Sequence, residues 1–159
     1  MSTACVTPDQ DTVVVEIQIA APPERVFSAI TDPQQVPQWW GDPGMYRTTQ
    51  WQGDLRRGGK WRSDGVGADG KPFHVAGEYL EYDPPNLLVH TWVPSYMGDF
   101  KTVVRWELKQ EKGGTHVTVR HSGFAGQPEG AKSHGEGWTR VLGWMQKFVE
   151  GGKTIDSRG

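Results

Sequence analysis

The chain has 159 residues, 17.7 kDa, a formal charge of -2 and a pI near 6.2, which fits one domain with its own core and excludes the basic footprint that nucleic acid or an anionic membrane requires. Cys5 is the only cysteine, so an intramolecular disulfide and a cysteine metal cluster are excluded. Met1 to Gln10 carries no basic segment followed by an apolar run, and no stretch is long and apolar enough to span a bilayer, so a cytoplasmic protein is expected.

Residues 1–11 are polar and unpatterned and read as a tail, followed by one domain over 12–151 and a C-terminal tail over 152–159. Val13, Val15, Ile17 and Ile19 alternate with Val14, Glu16, Gln18 and Ala20, the period of two of a strand with one buried face. Pro22 and Pro23 end it and open a short helix with Val26, Phe27 and Ile30 inward. Asp32 before Pro33, with Gln35 three residues on, marks a second short helix running toward Trp39 and Trp40.

From Met45 the pattern is strands and turns. Strands are expected near 45–52, 59–64, 72–82, 86–93, 100–109 and 115–122, separated by Gly58-Gly59, Asp69-Gly70, Pro84-Pro85-Asn86, Met97-Gly98-Asp99 and Gly113-Gly114. Parity puts Val104, Trp106 and Leu108 inward, with Val117, Val119 and His121 inward on the next strand. Over 86–93 both faces are apolar, and the bulky set Leu88, His90 and Trp92 is taken as inward. Over 72–82 two faces compete, Phe73, Val75 and Tyr79 against Leu80 and Tyr82, and a bulge near Gly77 would change the phase midway.

The last element is a long helix. Trp138, Val141, Leu142, Met145, Phe148 and Val149 form one stripe, with Trp144 at its margin and Arg140 on the opposite, polar face. Ser133 followed by Glu136 reads as a capping box at its start, and Gly151-Gly152 as its stop. One strand, two short helices, six antiparallel strands and this helix make an α+β arrangement.

Two motifs carry no chemistry. Gly65-Val66-Gly67-Ala68-Asp69-Gly70 matches the phosphate-cradling G-x-G-x-x-G, but that function needs a helix after the loop, and here Pro72 and a strand follow, so it reads as a hairpin turn. Arg56, Arg57, Lys60 and Arg62 are flanked by Asp54 and Asp64 and read as a solvated surface. The histidines show no metal spacing, and nothing resembles a nucleophilic triad.

Convergence is more informative. Parity turns His121 and His90 inward, and helical phase sets His134 on the apolar stripe. Trp61, Trp92, Trp106 and Trp138 are candidates for the same interior. Rigid indoles interdigitate poorly, and a sheet curved about one helix leaves space at its wide end, so a cavity lined by rings with a few polar groups is expected.

Several segments, in this order, resemble the activator of Hsp90 ATPase homologue 1-like (AHSA1-like) family. They are Ala20-Ala21-Pro22-Pro23-Glu24-Arg25-Val26-Phe27, Trp39-Trp40, Asp54-Leu55-Arg56-Arg57-Gly58-Gly59, Gly77-Glu78-Tyr79-Leu80-Glu81-Tyr82-Asp83-Pro84-Pro85 with Leu88 and Thr91-Trp92, His121-Ser122-Gly123-Phe124, and Gly137-Trp138. The resemblance covers 13–150. It implies the helix-grip fold of the START-like, Bet v 1-like (SRPBCC) superfamily: a seven-stranded antiparallel sheet wrapped around a long C-terminal helix, with two short helices after the first strand and often an apolar cavity. Relatives bind lipids, hormones or polyketides, and some are cyclases or dehydratases, but no shared catalytic set transfers to named positions.

The expectation is therefore a cofactor-free and metal-free protein binding a small apolar or aromatic molecule through Trp61, His90, Trp92, Trp106, His121, His134 and Trp138. Two alternatives stand beside it. One is a cyclase or dehydratase using the same cavity, with His121 or His134 as acid or base. The other is an interaction module with an Hsp90-type chaperone as partner, which the resemblance alone brings in. An exposed edge strand leaves room for a homodimer.

Overall fold

The computed structural model describes residues 3–98 and 100–158. Residues 1, 2 and 159 of the expected tails, and Asp99 of the expected Met97-Gly98-Asp99 turn, lie outside the described residues. Nine strands form one antiparallel sheet: β1 (Thr3–Val6), β2 (Thr12–Ile19), β3 (Gly41–Asp42), β4 (Tyr46–Gly53), β5 (Lys60–Gly67), β6 (Pro72–Asp83), β7 (Leu87–Pro94), β8 (Thr102–Glu111) and β9 (Gly114–Ser122). Their order is β1-β2-β9-β8-β7-β6-β5-β4-β3. The short helices α1 (Pro23–Thr31) and α2 (Val36–Trp39) follow β2, a 3₁₀ turn (Ser95–Met97) follows β7, and α3 (Pro128–Gly151) packs along the concave face.

The expected sheet of seven strands is thus a sheet of nine. β1 adds an edge by backbone pairing, Ala4 opposite Val15 and Val6 opposite Val13. Its sequence TACV has no alternation, and Val6 remains exposed, so burial left no trace to read. The N-terminal segment is therefore a paired strand and a turn, not a frayed tail. β3 is a two-residue pairing with Arg47 and Tyr46.

Parity holds where polar and apolar residues alternate cleanly. Val104, Trp106, Leu108, Val117, Val119 and His121 are all buried in the core on the inner face of the sheet. In β6 the phase runs through Phe73, Val75 and Tyr79 without a break at Gly77. The register shift comes between Tyr79 and Glu81 and also turns Tyr82 inward, against Phe27 at 6.0 Å. Gly77 is needed for another reason: a Cβ there would strike the Thr91 carbonyl and the Trp61 indole.

α3 begins at Pro128, one and a half turns before the expected capping box. Pro128 occupies the first turn, where a missing N–H costs nothing, and Glu129 complements the positive end of the helix dipole. Ser133 and Glu136 are interior helical positions. The early turns carry Gly130, Gly135 and Gly137, which erase the periodic signal; Gly135 lets the helix approach Val13, whose Cγ1 would lie 3.4 Å from an added Cβ. The other end matches the reading, with Gly152 at φ 68° and its N–H donating to Phe148 O.

The residues after α3 fold back rather than trail away. Ile155 is buried, its N–H donates to Gln38 O at 2.8 Å, and Asp156 pairs with Arg47 at 2.6 Å. The Arg158 guanidinium donates to the carbonyls of Trp39 and Gly41 and lies 5.2 Å from the Trp144 ring.

Candidate functional site

A cleft of about 640 Å³ lies between the N-terminal half of α3 and the β4–β5–β6 end of the sheet. That volume suits a small organic molecule. Its walls are largely aromatic: Trp40 from the end of α2, Tyr46 and Trp51 from β4, Phe73 from β6, Trp92 from β7 and Trp138 from α3. The mouth is bordered by Asp69 and Lys71 of the β5–β6 turn, Tyr96 and Met97 of the 3₁₀ turn, and Ser133 and Arg140 of α3.

The indoles form a near-parallel set. Trp40 lies 6.0 Å from Trp51 at 27° and 6.5 Å from Trp92 at 23°, while Trp138 meets Trp40 edge-on at 5.8 Å. Trp51 reaches this wall because β4 slips register between Thr48 and Gln50, so Thr48 and Trp51, three residues apart, both turn inward.

Of the residues singled out from the sequence, Trp92, His134 and Trp138 line the cleft. Trp61, His90, Trp106 and His121 face inward too, but they are its buried foundation, between 0% and 4% exposed. Strand parity reports only the face of the sheet. It does not separate a ring that touches the cleft from one beneath it. Trp40, Tyr46, Trp51, Phe73 and Arg140 were not anticipated as site residues; the Trp39-Trp40 pair and the aromatic spacing of β4 were the available signals.

Hydrogen bonds explain the buried histidines. An indole can only donate, so Trp138 Nε1–H to His121 Nδ1 at 2.9 Å places the His121 proton on Nε2, which then donates to Thr102 Oγ1 at 2.6 Å. Thr102 Oγ1–H in turn donates to Trp92 O at 3.3 Å. By the same reasoning Trp106 Nε1–H donates to His90 Nε2 at 3.2 Å, and His90 Nδ1–H donates to Thr91 O at 3.0 Å. Both imidazoles are neutral struts between the sheet and the indoles.

Burial pushes the His90 pKa down to about 4. His121 is driven well below the ordinary histidine value by burial and by the nearby His134 and His90. His134 is also lowered by burial, opposed by its Nδ1–H bond to Gly130 O at 2.9 Å, which leaves Nε2 as an acceptor on the cleft wall. Beneath the cleft a void of about 10 Å³ touches Tyr79, His90, Trp51 and Trp106. It is of the order of one water molecule, and the Tyr79 hydroxyl and the Trp51 indole N–H, which face each other without a well-formed hydrogen bond, are beside it.

Tyr46 has a particular orientation. Its Oη accepts the Trp40 Nε1–H at 3.2 Å, so its own O–H is free to donate. Burial pushes its pKa up to about 12, and the Trp40 bond and the Arg140 charge pull the other way. No cluster of histidine, cysteine or carboxylate side chains suited to a metal ion occurs among the described residues. No helix among them is long and apolar enough to cross a membrane.

No curated protein matches the chain. Among solved structures, one from Rhodobacter sphaeroides is 19% identical with a TM-score of 0.82, over 94% of this chain and 98% of that one. CalU16 from Micromonospora echinospora is 24% identical with a TM-score of 0.69, over 95% and 85%. DynU16, from the dynemicin biosynthetic locus, is 25% identical with a TM-score of 0.75, over 91% of this chain but 49% of that one. The family model described as activator of Hsp90 ATPase homolog 1-like protein matches residues 20–150. With the long C-terminal helix gripped by an antiparallel sheet, the chain belongs to the AHSA1-like family of the Bet v 1-like, helix-grip fold.

Proposed function

We propose that this protein binds a small, planar, largely apolar molecule in the cleft between α3 and the β4–β6 end of the sheet. The observation that carries the reading is the wall itself. Trp40, Trp51 and Trp92 line a space of about 640 Å³ with near-parallel rings, and Trp138 packs edge-on against Trp40 and 5.7 Å from Trp92 beside them. A flat ring slid against such a wall gains stacking as well as buried area, and rigid indoles lose little entropy on binding. Neutral His121 fixes the orientation of Trp138, and neutral His90 that of Trp106 behind the wall.

The test is a panel of planar aromatics titrated against the purified protein, read by tryptophan fluorescence and native mass spectrometry. Binding at micromolar concentration that is lost in Ser133→Trp, which fills the mouth from an exposed helical position, supports the reading. A panel without any binder, or binding indifferent to Ser133→Trp, contradicts it.

A second reading, proton-transfer catalysis in the same cleft, draws on the likeness to DynU16 and its biosynthetic locus. His134 is the histidine that lines the cleft, with Nε2 as a lone-pair acceptor. His121, bonded at both nitrogens, is committed to structure. Turnover of a cyclisable or dehydratable substrate by the wild type that disappears in His134→Ala would favour catalysis; binding by the wild type without turnover favours the carrier.

A further inference from the structure

The charges and hydrogen-bond donors around the cleft are unbalanced. Three charged side chains border it, Arg140, Lys71 and Asp69. Arg140 makes no hydrogen bond or ion pair among the described residues, although Glu136 precedes it by four residues on the same helix. Most other arginines are engaged, Arg47 with Asp156, Arg56 with Asp54, Arg62 with Asp64, and Arg105 and Arg120 with Glu107; Arg57, away from the cleft lining, is the exception among them. Asp69 is the one carboxylate on the border, and its Oδ1 is occupied in closing its own turn, accepting Lys71 N–H at 3.0 Å.

Among the uncharged groups His134 Nε2 offers a lone pair, but Tyr46 leans the same way as the charges. Tyr46 Oη accepts from Trp40 and has a hydroxyl proton without an acceptor among the described residues, and it lies within the field of Arg140. Trp92, on the wall, also has an indole N–H without an acceptor, though that atom is buried rather than open to the cleft. A lining with spare donors and a net positive border leaves polar groups unsatisfied until something rich in acceptors arrives.

Resting on the cleft being a ligand site, we infer that its ligand is an aromatic acid: a planar ring system against Trp40, Trp51 and Trp92, bearing a carboxylate or comparably acidic oxygen held between Arg140 at the mouth and the Tyr46 hydroxyl on the wall. Arg140 supplies a planar fork that matches a carboxylate, and the tyrosine O–H adds a neutral donor from the facing strand. Lys71 contributes long-range attraction.

The experiment compares 2-naphthoate with its neutral isostere 2-naphthamide by isothermal titration calorimetry, in the wild type, Arg140→Gln, Tyr46→Phe and, as a control, Arg57→Gln on the far surface. Charge-assisted hydrogen bonds at a partly dry mouth imply an acid-over-amide preference of about tenfold. Arg140→Gln brings that ratio to about twofold or less, Tyr46→Phe lowers it by a smaller factor, and Arg57→Gln leaves it intact. Equal binding of acid and amide by the wild type, or a ratio unmoved by Arg140→Gln, overturns the inference and leaves the cleft as an apolar site. Failure of both probes to bind overturns the ligand-site reading and the inference together.

Discussion

Neutral, buried His90 makes the fold sensitive to acid in a window where few other groups titrate. In the native state its pKa lies at about 4, against roughly 6.5 in the unfolded chain. The unfolded chain therefore takes up a proton between those values and the native state does not, so the contribution is present above pH 6.5 and is lost as pH falls toward 4. Going from pH 8 to pH 5 removes about 2 kcal/mol of stability through His90 alone. His121 and His134, also lowered, add losses of the same sign. The cause is structural: protonating His90 Nε2 takes away the lone pair that Trp106 Nε1–H uses, in a site 4% exposed. The assay is urea unfolding followed by tryptophan fluorescence at pH 8 and pH 5, in the wild type and His90→Gln. A variant that cannot titrate loses less in acid, so its deficit relative to wild type shrinks by about 2 kcal/mol across the range. A deficit that stays the same at both values refutes a neutral His90, and wild-type stability that is flat between pH 8 and 5 refutes the description of the buried imidazoles altogether.

Four other outcomes follow from the packing. Trp138→Phe keeps a ring in place but leaves His121 Nδ1 without its donor, a loss of about 1–3 kcal/mol measurable by chemical denaturation. Gly77→Ala drives a Cβ into the Thr91 backbone carbonyl and costs about 3 kcal/mol or more, read as a fall in Tm. Gly143→Ala, on α3 with open space where the Cβ would go, stabilises by about 1 kcal/mol in the same assay. Removing residues 153–159 uncovers the site of Ile155 and frees the carbonyls of Trp39 and Gly41, at a cost of about 2–4 kcal/mol.

Much of the architecture was legible, for a physical reason that varies along the chain. β2, β8 and β9 each bury one face, so selection for burial wrote an alternation, as in Val104, Trp106 and Leu108 beside Arg105, Glu107 and Lys109. β1 buries little and is held by backbone pairing that any residues can make, so TACV gave no signal. The start of α3 was misplaced because glycines that admit close approach also interrupt periodicity. In the cleft, the inward direction of Trp61, His90, Trp106 and His121 was readable, but the depth of each was not, since depth depends on how far α3 stands from each strand. Trp51 and Thr48 eluded a strict period of two because a register shift separates them. Arg140 was assigned to solvent by helical phase, and it is exposed; only the neighbouring turn of β5 and β6 makes that exposure the border of a cleft.

The tryptophans offer the most direct measurement. Each of the 8 indole N–H groups gives its own NMR signal, and a titration with 2-naphthoate reports where the molecule goes. Shifts concentrated on Trp40, Trp51, Trp92 and Trp138, with Trp39 and Trp106 unmoved behind their bonds to Ala29 O and His90, are what a planar ligand in the α3 cleft produces. Signals that all stay still, or that move chiefly at Trp39 and Trp106, would place the binding elsewhere or nowhere.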